Sequence, residues 1–499
     1  RPILDVELVK PRNTIEQQLT NLWSQLLGLQ PIGIYDNFFE LGGHSLFVAN
    51  MMTQVEETFA VKLTLTELFI TPTIADLAES ITAARQPQSV GKSNFAQLLA
   101  DAELDPSIVP AEPGIDRLEI PQHIFLTGAT GFLGAFLLDE LLRSTNAKIY
   151  CLIRSPGIED KKKKLRHNLE RYGLNPADYS SRVISVIGDL SQPLLGMSAA
   201  EFRQLAGTID TIYHNGAVVN LVYPYELMRN TNVKGTEEIL RLASQVKVKP
   251  VHLISTLDIF QSVYHSRLDT RSEDDQFPAS AIPDSGYAQT KWVAEKLVKA
   301  AHARGIPTCI HRPGMIIGHS QTGCSNTEDQ ISRLIKGLIQ LGSAPAIDLP
   351  MHLTPVDYVS QAIVKLAGQQ SAWGKAFHLS NPQPLSMLEL VDYLKSLHYE
   401  IRSTDYDRWL NHLLESDLSQ ANVLKPLVPL FTSSSALYST YLEVLSLENV
   451  SCQNIEAELA GTSISCPVLD TKLLDIYFAY FRQSGFLDQK MSGVAESST

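Results

Sequence analysis

Tyr287 and Lys291, in the run Tyr287-Ala288-Gln289-Thr290-Lys291, open a helical pattern that continues through Trp292, Val293 and Leu297, so the two side chains face the same way at i and i+4. A free phenol, with a pKa of about 10, is poorly matched to proton transfer at neutral pH, and a neighbouring ammonium favours the phenolate. Thr256 ends an upstream strand pattern, Ile254-Ser255-Thr256, and can set its hydroxyl on the same substrate oxygen. Together the three make an oxyanion site. Ser255 is the competing hydroxyl, but period-two alternation aims it opposite to Thr256. A Tyr-x-x-x-Lys spacing is common on helix surfaces, so its weight depends on what surrounds it.

A second grouping precedes it. The β-type run His123 to Thr127 leads into Gly128-Ala129-Thr130-Gly131-Phe132-Leu133-Gly134 and then a helical pattern to about Arg143. Strand, glycine turn and helix N-terminus form a cradle for a pyrophosphate, and Gly128, Thr130, Gly131, Phe132, Leu133 and Gly134 are its candidate contacts. The spacing is G-x-x-G-x-x-G, a variant of the dinucleotide fingerprint. Arg154 stands twenty residues past Gly134, where an NAD-binding chain carries Asp or Glu. A cation there favours a 2′-phosphate and therefore NADPH. Lys164, at the end of the run Lys161 to Lys164, is a candidate second charge, although lysine runs are more often solvated helix faces. Asp189 and Leu190 end the third strand pattern and would edge the adenine, with helix capping as the plainer role for Asp189. Asn215, Gly216 and Ala217 end the fourth strand, where cofactor contacts in doubly wound sheets cluster.

The third grouping is Asp36-Asn37-Phe38-Phe39-Glu40-Leu41-Gly42-Gly43-His44-Ser45-Leu46, where two glycines precede a serine that opens a helix. A phosphodiester on Ser45 would meet free backbone N–H groups and the positive end of the helix dipole. Simple capping by Ser45 is the bland alternative. A nucleophile elbow is excluded, since position 47 is Phe rather than Gly and no strand precedes the serine.

The elements that must hold these groups follow from composition and periodicity. The chain has 499 residues, 44% hydrophobic and 19% charged, with 28 Gly and 26 Pro, which is ordinary globular composition. A net charge of −13 argues against a nucleic-acid or anionic-membrane footprint, and no run approaches the length of a membrane span. The five cysteines are widely spaced without a C-x-x-C, which argues against a disulfide framework or a zinc site and for a reducing, cytoplasmic setting. The first residue is Arg1, which points to a piece of a longer chain. Residues 11–84 read as a small all-α bundle whose first helix Thr14 can cap. Residues 85–115 read as a linker and lead-in with a short helical pattern around Phe95 to Leu104. Residues 116–322 alternate strand and helix, predicting an α/β doubly wound parallel-sheet Rossmann domain with strands at His123–Thr127, Lys148–Ile153, Val183–Ile187, Thr211–His214, Val251–Ser255 and Thr308–Ile310. Residues 323–490 read as a mostly helical C-terminal cap with a late strand near 376–380, and Ser492 to Thr499 as a frayed tail.

The Ser45 stretch resembles the signature of peptidyl carrier proteins, and residues from about 120 to 320 resemble short-chain dehydrogenases of the extended type. Carrier, linker, sheet and cap together resemble the terminal thioester reductase didomain of non-ribosomal peptide synthetases and the related carboxylic and aminoadipic acid reductases. The resemblance implies 4′-phosphopantetheine on Ser45 and NADPH at the glycine cradle. It implies hydride delivery to a tethered acyl or peptidyl thioester, with Thr256 and Tyr287 on the oxyanion and Lys291 on the nicotinamide ribose while lowering the tyrosine pKa. The product is an aldehyde, or an alcohol after a second hydride. It also implies upstream adenylation or condensation domains in the same polypeptide, a phosphopantetheinyl transferase, and a monomer. Non-redox release, such as a Dieckmann-type cyclisation, and a purely docking role are the alternatives, and an intact Tyr287, Lys291 and cradle argue against both.

Overall fold

The computed structural model describes residues 8–38, 41, 51, 54–59, 61, 73–84, 91–111, 115, 117–154, 158–174, 181–221, 223–261, 270–275, 277–415, 423–424, 431 and 450–488, with 83–84, 91–94 and 158–162 as backbone only. Helix α1 (Thr14–Leu27) is capped by Asn13, not Thr14: the Asn13 side chain accepts the Glu16 N–H, and Glu16 in turn accepts from the backbone and guanidinium of Arg12. Leu19, Leu22 and Trp23 of α1 pack against Phe38, Met51, Val55 and the α2 residues (Ile74–Ala84) Ile74, Leu77 and Ile81 in a core of their own.

The lead-in is more than a tether. Helix α3 (Gly91–Asp101) begins earlier than its apolar pattern, and Leu98, Leu104 and Ile108 bury into the core of the following domain. Asp101 accepts from the Tyr225 hydroxyl at 2.8 Å and from Arg229 Nε and Nη2, while Arg304 donates to the carbonyls of Leu104, Asp105 and Ile108. Composition alone groups 91–111 with the linker, because the segment is polar. Its partners are more than a hundred residues away, and composition cannot register them. Burial opposes the charge on Asp101, but hydrogen bonds from Arg229 and Tyr225 outweigh it and hold its pKa below the ordinary 3.8. Asp101→Asn is therefore expected to lower unfolding free energy by roughly 2 kcal/mol at neutral pH, discounted for the partly open Arg229. Because the folded pKa is the lower one, this contribution is present at neutral pH and fades as pH falls through it. Denaturant melts of both proteins at pH 7 and pH 3 read the difference.

Seven parallel strands form the central sheet: β1 (His123–Thr127), β2 (Lys148–Ile153), β3 (Val183–Ile187), β4 (Thr211–His214), β5 (Val251–Ile254), β6 (Thr308–Pro313) and β11 (Ala376–Leu379), in the order β11-β6-β5-β4-β1-β2-β3. β4, β5 and β6 are buried along their whole length, as strands covered on both faces must be. One face carries α4 (Phe132–Ser144), α5 (Ile158–Arg171), α11 (Val356–Ala367) and α14 (Gln453–Leu459). The other carries α6 (Ala199–Thr208), α7 (Tyr225–Arg229), α8 (Gly235–Ser244), α9 (Gly286–Ala303) and the lead-in. The late strand is not an isolated element of the cap: β11 pairs with β6, Phe377 opposite His311, and extends the sheet at its edge. The order reverses between β1 and β4, and that switch point opens the cleft beyond their C-terminal ends.

The cap packs α10 (Gln330–Leu341), α12 (Met387–Ser396), α13 (Tyr406–Glu415) and α15 (Thr471–Gln483) around Leu338, Trp409 and Phe478. It is less purely helical than its periodicity predicts. Short pairs join β7 (Met315–Ile317) to β10 (Leu353–Pro355), β8 (Ser343–Pro345) to β13 (Arg402–Thr404), and β9 (Pro350–Met351) to β12 (Leu385–Ser386). Strands of two or three residues are too short to show alternation. All five cysteines are unpaired thiols, and among the described residues no helix is long and apolar enough to cross a membrane. The tail Ser492 to Thr499 lies outside the described residues.

Candidate active site

The glycine turn is built by close approach. Gly128 sits at φ +73°, and a Cβ there would stand 2.8 Å from Asn215 Nδ2 and from the Gly216 backbone. A Cβ on Gly134 would lie 1.9 Å from the Gly128 carbonyl oxygen, so α4 can pack on the turn only with glycine at that position. Gly131 differs: its Cβ would meet only the Gly128 oxygen, at 3.4 Å, leaving open space over the turn. Gly131 is the N-cap of α4 and supplies no side chain, so the first N–H groups of the helix remain for an anion. The turn is pinned from below. Asn168 donates to the carbonyls of Ala129 and Gly131, and Asn215 to that of Gly128. The Gly216 N–H donates to Thr127 Oγ1, which leaves the Thr127 hydroxyl to donate to His214 Nδ1, and His214 Nε2 to Thr236.

The remaining candidates ring this turn. Thr130 lies within it, and Phe132 turns its ring onto Phe136 and Tyr172. Arg154 is exposed just past the end of β2, and Lys164 Nζ reaches the Arg154 backbone carbonyl at 3.5 Å. Asp189 accepts from the Ser191 N–H and hydroxyl, closing a local turn, and Leu190 packs beneath Gly216 and Gly235. Backbone N–H groups without a side-chain cap, an open Gly131 and exposed cations beyond β2 fit a phosphorylated dinucleotide.

Beside this turn, a cavity of about 450 Å³ is lined by Leu133, Asn215, Ala217, Ser255, Thr256, Asp258, Tyr287 and Lys291, among others, with Asn326, Asp329 and Ile331 from the cap side. Tyr287 and Lys291 rise from the start of α9, where Ser285 caps the helix by accepting the Ala288 N–H. Lys291 Nζ donates to the Ile254 carbonyl at 2.8 Å, tying the helix to the end of β5. Thr256 caps the 3-10 turn Leu257–Phe260, its Oγ1 accepting the Asp258 N–H at 3.2 Å. Thr256 and Tyr287 are 31 positions apart in the chain, and the Asp284 N–H donates to the Gln261 carbonyl, so the ends of the intervening loop meet at the site. β5 stops at Ile254, one residue before the sequence pattern does, so period-two alternation does not separate Ser255 from Thr256 and both line the cavity. Ser45 lies outside the described residues.

The family described as "Male sterility protein" matches residues 126–363, and the one described as "Phosphopantetheine attachment site" matches residues 17–81. A linear gramicidin synthase polypeptide of Brevibacillus parabrevis is 39% identical over 488 residues, 97% of this chain but 10% of that synthetase, so the chain spans about a tenth of that relative. An archaeal thiolation-reductase di-domain shares the fold, with a TM-score of 0.71 and 22% identity over 96% of this chain and 100% of the other. The terminal R domain of the myxalamid PKS-NRPS pathway is 41% identical, covering 79% of this chain and 99% of its own, with a TM-score of 0.73. The chain belongs to the terminal reductase domains of non-ribosomal peptide synthetases, preceded by a phosphopantetheine carrier. The reductase is thus a nicotinamide-dependent oxidoreductase.

Electrostatics in the reductase depart from one expectation. Tyr287 is pushed up by burial and then by the nearby Asp258 charge, rather than lowered by Lys291. The cause is local: the ammonium is spent on the Ile254 carbonyl, and burial brings Lys291 itself down to about 8 despite Glu295. A neutral phenol is a proton donor, which suits the role. Three supporting groups are invisible to motif reading. Asn232, in the π-turn Asn230–Lys234, exchanges hydrogen bonds with Val218 and donates to Thr290, bracing α9. Arg312, fully buried over Phe260 and Phe277, grips Glu295 bidentately one helical turn past Lys291. Asp258 lies inside the cavity itself. Away from the cleft, His252, Cys309 and His311 bring their donor atoms within 4.8 Å of one another, and burial keeps both rings neutral. The pairing of His252 with Cys309 arises from sheet register, which sequence spacing does not reveal.

Proposed function

We propose that the reductase carries out NADPH-dependent release of an acyl or peptidyl thioester, tethered through phosphopantetheine on Ser45, as the aldehyde. Its working units are a carrier at 11–84, a connection and lead-in at 85–115, the sheet at 116–322 and a substrate-facing cap at 323–490. The observation that carries this reading is that Thr256, Tyr287 and Lys291 share one cavity with Leu133, Asn215 and Ala217 from the cofactor side. When bound, NADPH supplies the hydride. Tyr287, held neutral, donates its proton to the carbonyl oxygen as negative charge develops there, and Thr256 offers a second hydrogen bond. Lys291 orients the nicotinamide ribose and supplies positive charge below pH 8. The apolar cap residue Ile331, with Leu221, Met315 and Ile316, lines the acyl path and excludes water. The carrier serves upstream adenylation or condensation domains as well and is primed by a phosphopantetheinyl transferase, in a cytoplasmic setting.

The experiment is to prime the chain, load a simple acyl group, add NADPH, and follow absorbance alongside product mass. Cofactor oxidation with free aldehyde or alcohol supports the reading and gives the electron count. Release without oxidation would instead favour non-redox off-loading. Ser45→Ala should stop turnover of tethered substrate and spare free thioesters. Arg154→Ala is expected to narrow the NADPH over NADH preference by about tenfold, the loss of one charge-assisted phosphate contact, read as the ratio of the two kcat/KM values.

A further inference from the structure

Asp258 has no part in the chemistry above, yet it stands beside two of the groups that do the work. It follows Thr256 by two residues, its N–H donates to Thr256 Oγ1 at 3.2 Å, and its carboxyl lies close enough to the Thr256 hydroxyl for that hydroxyl to favour the ionised form against the burial that opposes it. The exposed part of Asp258 opens into the cavity, close enough to Tyr287 for its charge to oppose ionisation of the phenol. Facing it are Tyr287 and Lys291 from α9, Gln261 from its own turn, His352 from the β9–β10 connection, and Glu328 and Asp329 across the cavity. No cation among these answers it: Lys291 Nζ is on the Ile254 carbonyl, His352 Nδ1 is on the Asn381 carbonyl, and Asp258 has no ion pair among the described residues. Gln261 Nε2 is buried without a hydrogen-bond partner, and its side chain lies against this carboxyl.

A threonine hydroxyl carries one hydrogen. Beside a carboxylate, which only accepts, that hydrogen is drawn to Asp258 and is lost to the substrate. Beside a carboxylic acid the direction reverses. We propose that Asp258 is a positioning residue that works as the neutral acid, its O–H donating to Thr256 Oγ1 so that the Thr256 hydrogen points at the substrate oxyanion. The Gln261 amide is then placed to donate to the acid's carbonyl oxygen. The proton stays on Asp258 throughout, and no bond is made or broken there. Burial already pushes this carboxyl up to about 6, and an acyl chain that displaces water moves it further in the same direction. The inference rests on the reading of Thr256 and Tyr287 as the oxyanion pair.

The test is single-turnover reduction of a free acyl thioester by the intact chain, followed by NADPH fluorescence from pH 5.5 to 9. Wild type, Asp258→Asn and Asp258→Ala are compared, with NADPH titration and thermal melts confirming that each variant is folded. The wild-type rate is expected to fall with a one-proton slope above about pH 6. In Asp258→Asn the amide donates to Thr256 at every pH, so that limb disappears and the rate at pH 8 exceeds wild type several-fold. In Asp258→Ala the limb also disappears, but the rate at pH 6 drops about tenfold, with KM and NADPH affinity unmoved. An unchanged limb in the Asn variant overturns the proposal, as does an Ala variant as fast as the Asn variant or an Asn variant as slow as Ala. Thr256→Val and Tyr287→Phe run alongside separate the two readings. Full rate in either sinks the oxyanion pair itself, whereas loss in both with a persisting limb in Asp258→Asn sinks only the role of Asp258.

Discussion

Tyr287→Phe lowers kcat for thioester reduction by about 10²–10⁴-fold while NADPH affinity changes less than about twofold. The phenol shares the cavity with Thr256 and is held neutral by burial, and phenylalanine removes the proton without removing the ring that packs there. The lysine tie to the Ile254 carbonyl survives the substitution, so the cofactor side is left standing. Stopped-flow reduction and fluorescence titration separate the two quantities, and retained turnover with intact binding would remove Tyr287 as the acid. A pH limb accompanies it. Lys291 in the folded protein is brought down to about 8, so below that pH it is an ammonium and above it a neutral amine. Catalysis that needs this charge falls as pH rises through 8. The limb belongs to the lysine and persists in any slow turnover that Tyr287→Phe retains.

The site is legible where chemistry follows from local spacing, and opaque where it follows from register or loop closure. Gly128, Gly131 and Gly134 are read from seven consecutive residues because one turn does the whole job. Tyr287 and Lys291 are read from helical period, and the first six of the seven sheet strands from β-branched runs between helices. Spacing does not say which long-range partner wins. One helical turn between Tyr287 and Lys291 suggests that the lysine tunes the phenol, but the end of β5, 37 residues from Lys291, takes the ammonium. Asp258 escapes notice because an acid in a turn is unremarkable until the 24-residue return from Gln261 to Ser285 folds that turn against α9. The polar lead-in looks like a tether because its anchors, Tyr225, Arg229 and Arg304, are distant in the chain. Likewise β11, recognisable as a strand, shows its place at the sheet edge only through its pairing with β6.

The glycine turn allows packing and ligand approach to be told apart, because the two requirements fall on different positions. Gly134→Ala places a methyl group 1.9 Å from the Gly128 carbonyl, which backbone on both sides cannot accommodate without moving α4 away from the turn. Overpacking of that kind costs about 1–3 kcal/mol or more, and here it also displaces the helix N-terminus that meets the phosphates. Stability and NADPH affinity are therefore expected to fall together, with binding reduced at least about 100-fold. Gly131→Ala is the contrasting case. Its methyl meets only the Gly128 oxygen at 3.4 Å and otherwise projects over the open mouth of the turn, so the melting temperature should stay near wild type. If backbone N–H groups at that mouth hold the pyrophosphate, the methyl stands in the ligand's path and affinity still falls about tenfold or more. Thermal melts and NADPH titration on the two variants give the four values needed. Gly131→Ala with unchanged affinity would place the phosphates elsewhere than on the α4 N-terminus, since no other arrangement lets a ligand ignore an atom added there.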